Sequence, residues 1–161
     1  VGVDRSFCFT KFLGIYWIHK NQKYNMQKFI KRFQEWIGIK EKIDINKYKV
    51  PSFKEGEVWM SYWGENVGHE SSGKNKYFHR PVIILRKFNK DLYYGLPMST
   101  KNKKDSKFYI EFSFKEKQVS AMASQLKAMS AKRLHYKMGE LQSEDFNLVK
   151  KKFLALFKNK S

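Results

Sequence analysis

The chain has 161 residues, 42% of them hydrophobic and 17% aromatic, which is enough for one packed domain and too much for a disordered segment. Its 33 Lys+Arg against 15 Asp+Glu give a formal net charge of +18, pointing to a polyanionic partner: nucleic acid, an anionic membrane surface or an acidic protein. The lone cysteine, Cys8, excludes an internal disulfide and the four histidines lack metal-ligand spacing, so a reducing, cytoplasmic setting with no cofactor is expected.

The positive charge is mostly lysine, which suits general attraction to phosphate better than the bidentate base readout at which arginine excels. The first apolar stretch, FCFTKFLGIYWI (Phe7–Ile18), is broken by Lys11 and too short to span a bilayer. From Asn25, Met26, Phe29, Ile30, Phe33, Trp36 and Ile37 recur at helical spacing with basic residues between them, which predicts an amphipathic helix over about 25–43. Pro51 and the polar run around it read as a linker, so residues 1–50 form an N-terminal extension and 51–161 a separate domain.

Beyond Gly56 the pattern turns to short strands: EVWMSYW, RPVIILRKF with a proline suited to a strand's first position, LYYGLPMS and FYIEFSF. VSAMASQLKAM is ambiguous, since alanine and methionine favour helix while its place after three strands favours a fourth. SAKRL suits a helical turn and HYKMGEL a strand. Ser143 is placed to cap a last helix, with Glu144 and Asp145 in its first turn and Phe146, Val149, Phe153, Leu156 and Phe157 along one face. Close, short strands followed by a helix predict an α+β fold built on a small antiparallel barrel.

Four motifs occur in order: GEVWMSYWGENVGHE, HRPVIIL, LPMSTK and SQLKAMSAKRLHYKMGELQSEDFNLVKKKFLAL. In that order they resemble the MazF/PemK family of toxin endoribonucleases of type II toxin–antitoxin systems, over roughly two thirds of the chain. The resemblance implies an SH3-like β-barrel of the MazF/CcdB kind, with a C-terminal helix and here an N-terminal helical extension. It also implies a cytoplasmic homodimer that holds single-stranded RNA in a groove, cuts it without a metal, and is countered by an acidic antitoxin protein. The family's arginine falls on Arg80, its catalytic threonine on Ser99, and its loop glycine and glutamate on Gly68 and Glu70.

The chemistry suits those residue types. Attack of a 2′-hydroxyl on the neighbouring phosphorus builds charge on the phosphoryl oxygens, and a guanidinium with a hydroxyl beside it can stabilise that charge. The products are a 2′,3′-cyclic phosphate and a 5′-hydroxyl. Arg80, Ser99 and Glu70 are therefore the expected catalytic residues. Gly68, His69, His79, Thr100, Lys101, Gln125 and Lys127 are expected at the substrate, with His69 and His79 as alternative acids or bases and Thr100 as the alternative hydroxyl. The long loop before Arg80 is expected to act as a lid.

Each residue also has a plainer reading. An arginine before a strand is often a surface ion-pair partner, a loop histidine a polar surface residue, Gln125 a packing residue and Lys127 solvated charge. The sequence also departs from the family pattern: the loop is longer, serine replaces threonine at Ser99, the turn at Ser130–Ala131 lacks an acid, and Lys127 stands where arginine is usual. These departures keep a second reading open, a non-catalytic RNA- or protein-binding module on the same barrel.

Overall fold

The computed structural model describes residues 26–46, 49–101 and 106–158, with side chains described from Arg32 onward. The Phe7–Ile18 stretch lies outside them. Chain contacts separate Val1–Gln34 from Glu35–Ser161, and everything built below lies in the second unit. Helix α1, Met26–Ile45, has the expected period, and of its apolar stripe Trp36 is buried while Ile37 is exposed.

Seven strands follow: β1 (Glu57–Tyr62), β2 (His79–Lys87), β3 (Leu92–Ser99), β4 (Tyr109–Phe114), β5 (Lys117–Met122), β6 (Lys127–Ser130) and β7 (Leu134–Glu140). They form one antiparallel sheet in the order β4-β5-β3-β2-β1-β7, with β6 also paired to β3. The sheet is open rather than closed, ending on β4 and β7. Helix α2, Ser143–Ala155, follows β7. No helix among the described residues is long and apolar enough to cross a membrane.

Strand residues alternate between faces, and the sheet carries an apolar cluster on each. Val58, Ile83, Leu96, Met98, Ile110, Phe112 and Ala121 pack with Val149 and Phe153 of α2. Trp59, Val82, Ile84 and Tyr93 point the other way and pack with Phe53, Trp63, Met129 and Leu134. Burial of this many large side chains is the main source of stability.

Three local readings change. Pro81 is not the first residue of its strand: β2 starts at His79, and Pro81 is tolerated because the ladder to β3 begins only at Val82–Pro97, so no donor is missed there. VSAMASQLKAM is neither all helix nor all strand. Val119 and Ala121 are drawn into the core as β5, a 3₁₀ turn spans Ala123–Gln125, and β6 resumes at Lys127. Ser143 is the first helical residue rather than the cap; Gln142 precedes it in an extended conformation and makes no side-chain capping bond.

At the sheet's β7 edge, Glu57 is buried beneath Lys137. Its carboxylate accepts from Lys137 Nζ (2.7 Å), Trp59 Nε1 (2.8 Å) and the Lys54 amide (3.0 Å). Burial pushes this acid up, but those three donors outweigh it and hold Glu57 below the usual carboxylate range.

Candidate active site

The loop from Gly64 to Phe78 leaves β1 and returns as β2. Its second limb is folded hard against the first. The Gly73 amide donates to Gly64 O (2.7 Å) and Trp63 N to Phe78 O (2.9 Å). A Cβ on Gly73 would lie 1.9 Å from the Phe78 carbonyl oxygen, so only glycine fits at this crossing. Trp63 Nε1 donates to Ser71 O (2.6 Å), Asn66 Nδ2 to the same oxygen (2.7 Å), and the Asn66 amide to Ser72 Oγ (3.1 Å). The loop is therefore not a free lid. Its limb at Ser71–Gly73 is pinned, and the exposed part is the tip around Val67, Gly68, His69 and Glu70, where Gly68 takes a φ of +56°.

That pinned limb positions Arg80. Arg80 is almost buried, 8% exposed over the whole residue. Nε and Nη2 donate to Ser72 O (3.1 and 2.6 Å) and Nη1 to Met98 O (3.3 Å). Both acceptors are neutral main-chain carbonyls, so among the described residues the positive charge is held in place without being cancelled by a carboxylate. Burial lowers its proton affinity, partly offset by Tyr109, yet an arginine stays cationic across the working pH range.

Ser99 ends β3, where the strand has left β2: the β2–β3 ladder stops at Val82–Pro97, and Met98 and Ser99 pair with Ala121 and Ser120 of β5. Met98, whose carbonyl accepts from Arg80 Nη1, is the residue before Ser99. The half-buried Ser99 accepts the Lys101 amide on Oγ (3.1 Å), which leaves its O–H hydrogen able to donate. Thr100 and Lys101 are exposed beyond the strand end.

The loop also gathers residues from β6 and its preceding turn. Gln125 Oε1 accepts the Ser71 amide (2.8 Å), and its Nε2 reaches the His69 carbonyl (3.5 Å). Lys127 Nζ donates to Asn66 Oδ1 (2.7 Å), lies 3.7 Å from the Glu70 carboxylate and sits 5.0 Å above the Trp63 ring. Burial lowers the Lys127 ammonium's pKa, with Glu70 pulling the other way. Arg80, Glu70, Gln125 and Lys127 thus converge through three consecutive loop residues, Glu70, Ser71 and Ser72. His69 and Gly68 sit at the exposed tip.

His79 does not join them. One residue before Arg80 on the same strand, it faces the opposite way and packs its ring against Tyr62 (4.5 Å), His135 (4.8 Å) and Tyr77 (5.4 Å). Burial depresses its pKa, and the neighbouring His135 adds to that.

Sequence reasoning missed several neighbours. Ser120 of β5 pairs with Ser99, and Glu111 of β4 pairs with Ser120, which makes a polar row from Ser99 across the sheet. Ser120 Oγ and Glu111 Oε1 are buried without a hydrogen-bond partner among the described residues, a state that a polar ligand or a water would relieve. Their signal was faint but present: Glu111 is the one acid in the strand FYIEFSF, alternating with Ile110 and Phe112. Among the described residues no group of three or more His, Cys, Asp or Glu side chains is placed to hold a metal ion.

The family model for the PemK-like, MazF-like toxin of type II toxin–antitoxin systems matches residues 54–157. The chain belongs to this family. Its fold agrees: MazF from Deinococcus radiodurans is similar with a TM-score of 0.51 at 16% identity, over 68% of this chain and 97% of that one. An endoribonuclease from a mycobacterial species gives 0.48 at 11% identity, over 69% and 93%. The toxin MazF-mt6 of Mycobacterium tuberculosis gives 0.47 at 10%, over 63% and 95%. No protein of curated function matches. The matched region of this MazF/PemK family member begins after α1, so the helical extension lies outside what the family model describes.

Proposed function

We propose that this chain is a toxin-type endoribonuclease that cleaves single-stranded RNA without a metal, by attack of the RNA's own 2′-hydroxyl. The observation that carries the reading is the buried Arg80 charge, held by the carbonyls of Ser72 and Met98 with no carboxylate partner among the described residues, Met98 being one residue from the Ser99 hydroxyl at the end of β3. The N–H bonds of Nη1 and Nη2 not spent on Ser72 and Met98 suit a scissile phosphate, and Ser99 donates to a non-bridging oxygen. The 2′-oxygen bonds to phosphorus and the bond from phosphorus to the 5′-oxygen breaks. The 2′-proton passes to Glu70, and the leaving 5′-oxygen takes a proton from Arg80 or from water. The products are 2′,3′-cyclic phosphate and 5′-hydroxyl ends.

Gln125, Lys127, His69 and Lys101 line the path of the strand. Membership of a type II toxin–antitoxin family supports a protein antitoxin as partner, and the net charge of +18 favours an acidic one. A cytoplasmic homodimer completes the reading.

The test is incubation of purified protein with a long single-stranded RNA in excess EDTA, with Arg80→Ala alongside and the new ends mapped. The expected result is cleavage at recurring short sequences with cyclic-phosphate and 5′-hydroxyl ends, reduced at least about a hundredfold in the variant. Folded wild type that binds RNA in a salt-sensitive way and never cuts it would instead establish the non-catalytic module.

A further inference from the structure

The part of the chain outside the family-matched region helps to line a cavity. Residues of α1 and of the segment after it meet the β1 and β7 end of the sheet around a space of about 470 Å³. Lys42, Lys49 and Lys132 line it, together with Tyr62 and His135, and no acidic side chain does. Lys132 is held by Asp44, whose carboxylate lies 3.9 Å away, so Lys42 and Lys49 are the cations more open to a ligand. The volume is that of a small-ligand site.

The aromatic wall is longer than the cavity. Tyr77 stacks on His79 with an interplanar angle of 28°, His79 lies 4.8 Å from His135 at 30°, and Tyr136 adjoins His135 at 5.2 Å. Both ends of this run are in solvent, Tyr77 at 47% and Tyr136 at 49% exposure. At its centre His79, 8% exposed, keeps Nε2 buried with no hydrogen-bond partner among the described residues. The rings of this run that line the cavity with the three lysines are the exposed His135 and, beside it, the half-buried Tyr62. Ring faces that accept any base, next to cations that accept its phosphate, are the two elements of single-strand recognition.

We propose that this cavity and its aromatic wall form an additional nucleotide subsite, where a base of single-stranded RNA stacks on His135 beside Tyr62 and its phosphate lies against Lys42 and Lys49. The proposal rests on the ribonuclease reading in one respect: the strand held here is the one that reaches Arg80. The geometry permits it. His79 and Arg80 are consecutive, with Cα atoms about 3.8 Å apart, and their side chains leave opposite faces of β2, so a strand rounding the end of β2 touches both. The helical extension then lengthens the RNA footprint beyond the family core.

The experiment is equilibrium binding of a short single-stranded deoxyoligonucleotide carrying 2-aminopurine, which lacks the 2′-hydroxyl and so is not cut by this chemistry. It uses the full chain, His135→Ala, His135→Phe and the double variant Lys42→Gln/Lys49→Gln. His135 is exposed, so the fold is expected to persist, and circular dichroism checks it. His135→Ala should weaken binding about fivefold or more and relieve the stacking quench of 2-aminopurine, with His135→Phe restoring both. The lysine double variant should reduce the salt slope by about 0.7 per lysine removed.

Wild-type affinity and quenching in His135→Ala would overturn the subsite. So would a lysine variant that keeps its oligonucleotide affinity and loses only that for a glutamate-rich peptide, since the cavity would then belong to an acidic protein. RNA cleavage followed in parallel separates the two readings. Arg80-dependent cleavage with unaltered oligonucleotide binding in every cavity variant sinks the subsite alone. Weakened binding in His135→Ala, with no cleavage by folded wild type, sinks the ribonuclease reading and leaves the subsite standing.

Discussion

Two consecutive residues, His79 and Arg80, carry opposite duties because a strand turns successive side chains to opposite faces. Arg80 is fixed by oxygens of Ser72 and Met98, while His79 enters a cluster of rings. The motif order singles out Arg80 as a candidate, and the strand ending LPMS singles out Ser99. What holds Arg80 was not legible there, since two main-chain carbonyls have no letter in the sequence. The Ser99 role is checked by substitution. Ser99→Ala, which removes the hydroxyl proposed to donate to the phosphate, is expected to slow cleavage about ten- to a hundredfold, whereas Ser99→Thr keeps the hydroxyl and should retain activity. If Thr100→Ala were the damaging change and Ser99→Ala silent, Thr100 and not Ser99 would supply the hydroxyl.

At the scale of elements, the strands were readable because their β-branched and aromatic runs are short and punctuated, and β3 was bounded to the residue. The segment around Ala121–Gln125 was not, because alanine and methionine fit either period and only pairing with β3 and β4 decides. The loop before β2 was recognised by its polarity and length and misjudged in its freedom. Its stiffness comes from Trp63, Asn66 and Gln125 reaching main-chain groups at Ser71, contacts that require the fold to be known. The crossing at Gly73 gives a sharp test. Gly73→Ala places a methyl against the Phe78 carbonyl, so the limb must shift and Ser72 O moves with it. Cleavage should fall at least about tenfold while the unfolding midpoint drops only modestly, as measured by RNA cleavage and thermal melting on the same sample. Unchanged activity would mean that Ser72 does not position Arg80.

For the whole molecule, two buried ionisable groups predict how stability follows pH. His79 has its pKa depressed below the ordinary 6.5, so the fold prefers it neutral. Its contribution is complete above about pH 6.5 and is lost as pH falls through the lower folded value. Glu57 is held below its ordinary 4.5, so its contribution is complete above that value and is lost further into acid. Thermal melting across pH should therefore show stability declining from about pH 6.5 downward and again below about pH 4.5. His79→Phe, which keeps a ring among Tyr62, Tyr77 and His135, should flatten the first decline. A wild-type profile with no loss until the carboxylate range would contradict the assignment of His79.

The anchoring of Arg80 also bears on inheritance. A tie made to main-chain oxygens is indifferent to which side chains residues 72 and 98 carry, so substitutions there leave the guanidinium where it is as long as the backbone holds its course. The arginine's position is then passed down with the fold itself, and the neighbouring letters are at liberty to drift. A lineage of such chains can rewrite its recognition surface many times over without once having to rebuild the setting of that single charge.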